Sequence, residues 1–160
     1  SDPDPARSGR WQQRLTGEAD TERLGGRLAR ALNGGCMVHL SGDPGAGKST
    51  LVRALLRALG QTGPIPSPSY TLVEPYRVGG SDCLHVDLYR VGDPGELDAL
   101  GLRERLTSRL LLLVEWPEHG SGWLPEPDLR IRLDDADAGA ARDVCIEAVS
   151  ERGRRVLDGL

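Results

Sequence analysis

Apolar positions along this chain recur with two periods, and the alternation between them predicts an α/β protein. Leu24, Leu28, Ala31 and Leu32 fall on one face of a helix that Asp20 or Thr21 can cap and that Asn33-Gly34-Gly35 ends. Met37 to Leu40 then reads as a short strand, and Leu51, Val52, Leu55, Leu56 and Leu59 form the apolar stripe of a helix from Ser49 to Leu59. Leu72 to Val78 and Cys83 to Tyr89, separated by Gly79-Gly80-Ser81-Asp82, read as a β-hairpin. A helix starting at Asp93-Pro94-Gly95 carries Leu97, Leu100, Leu102 and Leu106 on a face interrupted at Gly101. Leu110 to Val114 is apolar throughout, the pattern of a strand buried on both faces. Leu129 to Leu133 and Val144 to Val149 alternate and read as a terminal antiparallel pair, followed by a short strand or helix in Glu151 to Leu160.

Between the first strand and its helix lies Gly42-Asp43-Pro44-Gly45-Ala46-Gly47-Lys48-Ser49, a full match to GxxxxGK[S/T] in the strand-to-helix context that this motif requires. The glycines allow a tight turn that points several N–H groups at one spot, and the helix N-terminus adds partial positive charge. Such a nest binds an anion of phosphate size, here through Gly45, Ala46, Gly47, Lys48, Ser49 and Thr50 with Pro44 leading in. Lys48 can reach β- and γ-phosphate oxygens, and the Ser49 hydroxyl can serve Mg²⁺. Lys48 is also the single lysine in a chain that otherwise uses arginine for positive charge, and a planar guanidinium does not replace a compact ammonium there. The expected architecture is therefore a three-layer P-loop NTPase fold with a mixed, mainly parallel central sheet and a C-terminal antiparallel pair.

Length and composition narrow the class. With 160 residues the chain reads as one domain, residues 15–160, preceded by a loose, disordered tail over residues 1–14 that opens Ser1-Asp2-Pro3-Asp4-Pro5. A net charge of -4 argues against direct grip on nucleic acid, so any RNA connection runs through a partner. The absence of a long apolar run or signal-like start predicts a cytoplasmic protein that avoids membranes. Cys36, Cys83 and Cys145 lack metal-like spacing and read as reduced, mostly buried residues.

Hydrolysis of a bound nucleotide requires carboxylates at strand ends near the loop. Asp87, near the end of LHVDLY, and Glu115, directly after LLLLV, fill that requirement, and the second placement is that of a Walker B acid. One acid binds the metal and the other reaches it through water or positions the attacking water; the sequence leaves the division open. Trp116 follows Glu115 and either covers the nucleotide or a partner surface or joins the core. His85 and His119 read as structural, and Ser67 to Thr71 in a proline-rich segment reads as a switch-like loop. A rival reading is a small-molecule P-loop kinase with Arg103, Arg105 and Arg109 as a cationic lid; these arginines otherwise form a solvated helix face.

The ordered series GDPGAGKST, SPSYTLVEPY, HVDLYR, ELDALGL, LVEWPE and LPEPDLRIRL closely resembles the TsaE family across about residues 18–150. Members are small P-loop ATPases needed for threonylcarbamoylation of adenosine 37 in tRNA. The resemblance implies ATP/ADP and Mg²⁺ as cofactors and the TsaD and TsaB proteins as partners, with tRNA met only indirectly through that complex. It places Pro44 to Ser49 on the phosphates, Ser49 and Glu115 on Mg²⁺, Asp87 as the other essential carboxylate, Trp116 near the active site and Glu18 near the nucleotide base. Pro44 and Ser69 depart from the residues usual in the family at their positions.

Overall fold

The computed structural model describes residues 9–32, 34–43, 45 and 47–160. Seven strands form one sheet: β1 (Arg10–Leu15), β2 (Cys36–Ser41), β3 (Val73–Val78), β4 (Ser81–Asp87), β5 (Leu111–Glu115), β6 (Leu129–Ala136) and β7 (Ala141–Ala148). Their spatial order is β1-β7-β6-β2-β5-β4-β3. The three central pairings, β6 with β2, β2 with β5 and β5 with β4, are parallel; the outer pairings are antiparallel. The sheet is therefore mixed, most strands run one way, and the expected C-terminal pair is β6–β7.

Helices α1 (Glu18–Ala31), α2 (Lys48–Leu59) and α4 (Glu151–Asp158) cover one face. The other face carries shorter elements over β4 and β5: 3₁₀ turns at Pro94–Leu100 and Pro117–Gly120, and α3 (Leu102–Arg105). Two apolar clusters result, one on each side of the sheet. The first contains Leu24, Leu28, Leu51, Leu55, Leu56, Val38, Leu40 and Ile131. The second contains Leu84, Val86, Leu97, Leu102, Leu112, Val114 and Trp123. The expected helix from Asp93 is tighter than expected: Asp93 caps it by accepting from Gly95 N–H, but Pro94, Gly95 and left-handed Gly101 confine it to a 3₁₀ segment and one α turn.

Residues 10–14 correct the expectation of a loose N-terminal tail. Arg10–Leu15 is an edge strand paired with β7, in which Trp11 packs against the core and Leu15 is buried in it, while Arg10 and Gln12 face water. Residues 1–8 lie outside the described residues. The chain turns from β1 into α1 where Thr16 donates both its N–H and its hydroxyl to the Asp20 carboxylate, which holds that acid below the usual carboxylate range. Opposite α1, over β1, β7 and β6, the sheet face is polar and cross-linked by Arg10–Glu147, Arg14–Asp143 and Arg130–Glu147 ion pairs.

All three cysteines are free, and burial pushes the Cys36 and Cys83 thiols up to about 12. Cys145 is half-buried rather than enclosed. His39 lies on the thinly covered face of β2. Burial, reinforced by Arg130 and opposed by Glu126, lowers its imidazole to about 4.

Two predictions follow from this packing. The helices α1 and α2 approach at Gly25, where an added Cβ would lie 2.7 Å from the Ala54 side chain. Gly25→Ala should therefore destabilise the fold by about 1–3 kcal/mol in denaturant unfolding, despite alanine's better helix propensity. Because the folded imidazole of His39 titrates below the unfolded value of 6.5, its contribution to stability is complete above that pH and is lost as pH falls through about 4. In His39→Leu, the fall in urea midpoint between about pH 7 and about pH 4.5 should be smaller than in the parent chain.

Candidate active site

The glycine loop leaves the end of β2 and enters α2 with Gly47 in the left-handed region, φ 99°. At Gly42, φ is 140° and a Cβ would lie 2.2 Å from the Leu133 carbonyl oxygen of β6, so the chain can pass there only without a side chain. Glycine is thus required twice, once for the turn and once for the close approach of a neighbouring strand.

The turn opens on a cavity of about 430 Å³ lined by Lys48, Ser49, Asp87, Glu115, Trp116 and Arg142, with Gly45, Gly47, Thr50, Ser69 and Tyr89 completing its wall. Lys48 is only 6% exposed; its ammonium donates to the Gly42 carbonyl and lies 4.6 Å from the centroid of the Trp116 ring. Trp116 takes left-handed backbone angles between β5 and the following 3₁₀ turn, φ 57°. Such a conformation costs a non-glycine residue on the order of 1–3 kcal/mol, and here it turns the indole toward the lysine. Tyr89 and His119 pack around the indole at centroid distances of 5.0 Å from Trp116 to Tyr89 and 5.6 Å from Trp116 to His119.

The two acids are register partners on parallel strands, Asp87 on β4 opposite Glu115 on β5, and both are buried. Asp87 accepts from Tyr89 N–H at 2.9 Å and from the Ser69 hydroxyl at 3.4 Å, which ties the SPSY segment to the site. Glu115 meets His85 Nε2 at 2.6 Å. His85 therefore has a partner at the site, contrary to its reading as a structural histidine. The missed signal was its spacing: residues 85 and 87 of one strand share a face. His119 Nδ1 contacts the Leu88 carbonyl oxygen at 2.8 Å, and its ring joins the aromatic group.

Arg142 of β7 is the second residue that the sequence did not single out. Its guanidinium donates to the Gly45, Gly139 and Ala141 carbonyls and pairs with Asp135, bringing a cation from the C-terminal hairpin onto the loop. Glu18 does not line the main cavity. It lies at the start of α1 on an adjoining groove of about 280 Å³ that shares Gly47, Thr50 and Arg142 with it. Pro44 and Ala46 lie outside the described residues. Arg103, Arg105 and Arg109 do not line the cavity; Arg103 pairs with Asp98 and stacks on Trp123, so a cationic lid is not assembled from them.

Among the described residues, no group of three or more His, Cys, Asp or Glu side chains is arranged to hold a metal by itself. The oxygens singled out for a metal are the Ser49 hydroxyl and the Asp87 and Glu115 carboxylates, all on the cavity wall. These hard oxygens suit Mg²⁺, which typically takes one or two carboxylates and completes its octahedron with phosphate oxygens and water.

A glycine loop between a parallel strand and a helix, with a buried lysine and two strand-end acids facing it, defines a P-loop α/β protein. Its loop is of the kind that receives nucleotide phosphates. The family model for the threonylcarbamoyl adenosine biosynthesis protein TsaE matches residues 15–144, and the chain belongs to the TsaE family. It is 42% identical over 121 residues to the tRNA threonylcarbamoyladenosine biosynthesis protein TsaE of Haemophilus influenzae, covering 76% of this chain and 75% of that one. To the protein of the same name from Streptomyces coelicolor it is 39% identical over 135 residues, covering 82% and 90%. Among solved structures, that of Bacillus subtilus YdiB superposes with a TM-score of 0.77 at 27% identity, covering 93% of this chain and 92% of that one.

Proposed function

We propose that this chain binds ATP with Mg²⁺ and hydrolyses it as an accessory subunit in the threonylcarbamoylation of adenosine 37 in tRNA, acting with TsaD and TsaB. The observation that carries the reading is the meeting of Lys48, Ser49, Asp87 and Glu115 on one cavity at the ends of parallel strands. The family supports the tRNA-modification role, since the relatives above carry that process in their names.

In this reading the loop amides and the N-terminus of α2 receive the phosphates. The Lys48 ammonium turns from the Gly42 carbonyl to β- and γ-phosphate oxygens, exchanging one acceptor for charged ones. Ser49 and Glu115 would hold Mg²⁺, with Asp87 reaching it directly or through water, and a metal there would supply positive charge against the phosphates. Asp87, fixed by Tyr89 N–H and the Ser69 hydroxyl, orients the attacking water for in-line displacement at the γ-phosphorus. Trp116 and Tyr89 shield the reacting end from solvent, and Glu18 faces the nucleoside end along the adjoining groove. Arg103, Arg105 and Arg109 stand away from the cavity instead of closing over it, which favours water over a small molecule as the phosphoryl acceptor, with slow turnover until partners engage. The acidic net charge fits contact with tRNA through those partners.

Two measurements test the division of labour. Lys48→Ala should remove a charge-assisted contact of about 1.5–3 kcal/mol, so calorimetric affinity for Mg·ADP should drop by roughly one to two orders of magnitude. Unaltered affinity and phosphate release in that variant contradicts the role of the lysine. Asp87→Asn should instead slow phosphate release by about 10²–10⁴-fold in single-turnover assays, a larger effect than its effect on Mg·ADP affinity. Omitting the chain from a reconstituted modification reaction containing TsaB and TsaD should abolish repeated rounds of threonylcarbamoylation, and undiminished modification excludes the accessory role.

A further inference from the structure

The Glu115 carboxylate is 3% exposed, and among the described residues its hydrogen-bond partner is the His85 imidazole, itself 2% exposed. The last torsion of a glutamate is broad, so a carboxylate at a strand end does not aim its oxygens unaided. His85 supplies that aim. It sits on β4 two residues before Asp87, on the sheet face that carries α2, and its Nε2 meets Glu115 Oε2 at 2.6 Å across the β4–β5 pairing.

A carboxylate only accepts hydrogen bonds, so the hydrogen resides on His85 Nε2. Nδ1 is buried without a hydrogen-bond partner among the described residues, so the contact with Glu115 is the polar contact that orients the ring. Around the ring, Glu74 stands opposite His85 on β3, occupied by the Thr71 hydroxyl, and Leu113 stands opposite it on β5. Of the flanking acids, Asp87 is held by Tyr89 and Ser69, which leaves Glu115 as the carboxylate that His85 serves.

We infer that His85 is a positioning residue: its Nε2–H fixes one Glu115 oxygen and thereby presents the other to the metal of a bound nucleotide. The inference rests on the functional reading above. Partners that hold a metal-ligating carboxylate typically matter by about 10–100-fold in metal affinity or activity.

The test uses the full chain and three substitutions. His85→Gln places an amide N–H near the lost Nε2 position, His85→Asn leaves its amide too short to reach, and Glu115→Gln removes the acceptor's charge. His85→Asn should weaken the magnesium-dependent part of ADP binding by roughly 10–100-fold while leaving magnesium-free ADP binding unchanged. His85→Gln should recover most of the lost affinity, and His85→Asn should cost little more in a Glu115→Gln background. A ¹⁵N-labelled sample without nucleotide supplies an independent readout. A slowly exchanging, downfield imidazole N–H resonance should be present and should shift in Glu115→Gln. Equal losses in His85→Asn and His85→Gln with unchanged melting temperature, additive effects with Glu115→Gln, or an imidazole resonance indifferent to Glu115 overturns the inference. Failure of the unsubstituted chain to bind ADP more tightly with magnesium overturns the functional reading instead, and with it the metal-directed half of this one.

Discussion

The site depends on the alignment of three parallel strands. Leu40 of β2 pairs with Glu115 of β5, and Glu115 pairs with Asp87 of β4, so the start of the glycine loop and both acids reach the same edge at the same level. Side chains alternate with a period of two, so a one-residue slip of β4 or β5 would carry its acid to the opposite face, away from α2 and Lys48. The register is held from below by apolar residues on both faces: Val38, Leu111, Leu113 and Cys83 under α1 and α2, and Leu84, Val86, Leu112 and Val114 under the shorter turns. Core packing and site geometry are therefore one constraint, since the burial that fixes the strands also aligns the acids.

That constraint divides the work between the halves of the sheet. The cations come from one side of the β2–β5 boundary: Lys48 from the loop after β2, and Arg142 from β7, reaching back to the Gly45 carbonyl. The acids come from the other side, through β5 and β4. Positive charge and carboxylates therefore face each other across that boundary, on one cavity. The SPSY segment joins the acidic half through Ser69, and Trp116 bridges the halves by placing its ring against the Lys48 ammonium.

Much of this was legible in the amino-acid order. The glycine loop, its flanking strand and helix, the Gly79-Gly80 hairpin and the buried run ending at Glu115 follow from local patterns that the tertiary structure reinforces. The strand Arg10–Leu15 was less visible because an edge strand with one wet face needs few apolar residues, and Trp11 and Leu15 carry its core face. The segment after Asp93 has the spacing of a helix, but its prolines and glycines shorten the geometry to 3₁₀ turns. Arg142 reaches the site through pairing between residues distant in the chain, a relation that periodicity does not encode.

The two histidines of the site differ from one another for a physical reason. His119 stands behind the cavity wall, with ring contacts to Trp116 and Tyr89 and an Nδ1 contact to a backbone carbonyl, that of Leu88. His85 is enclosed, and its contact is a short polar one to a buried acid, where shape, reach and donor position must all match. Enclosure makes the match consequential: a buried carboxylate without its donor loses the stabilisation that water would otherwise give it. Glu115 and His85 thus form one buried unit, anchored in the same strand pairing that sets the register of the sheet.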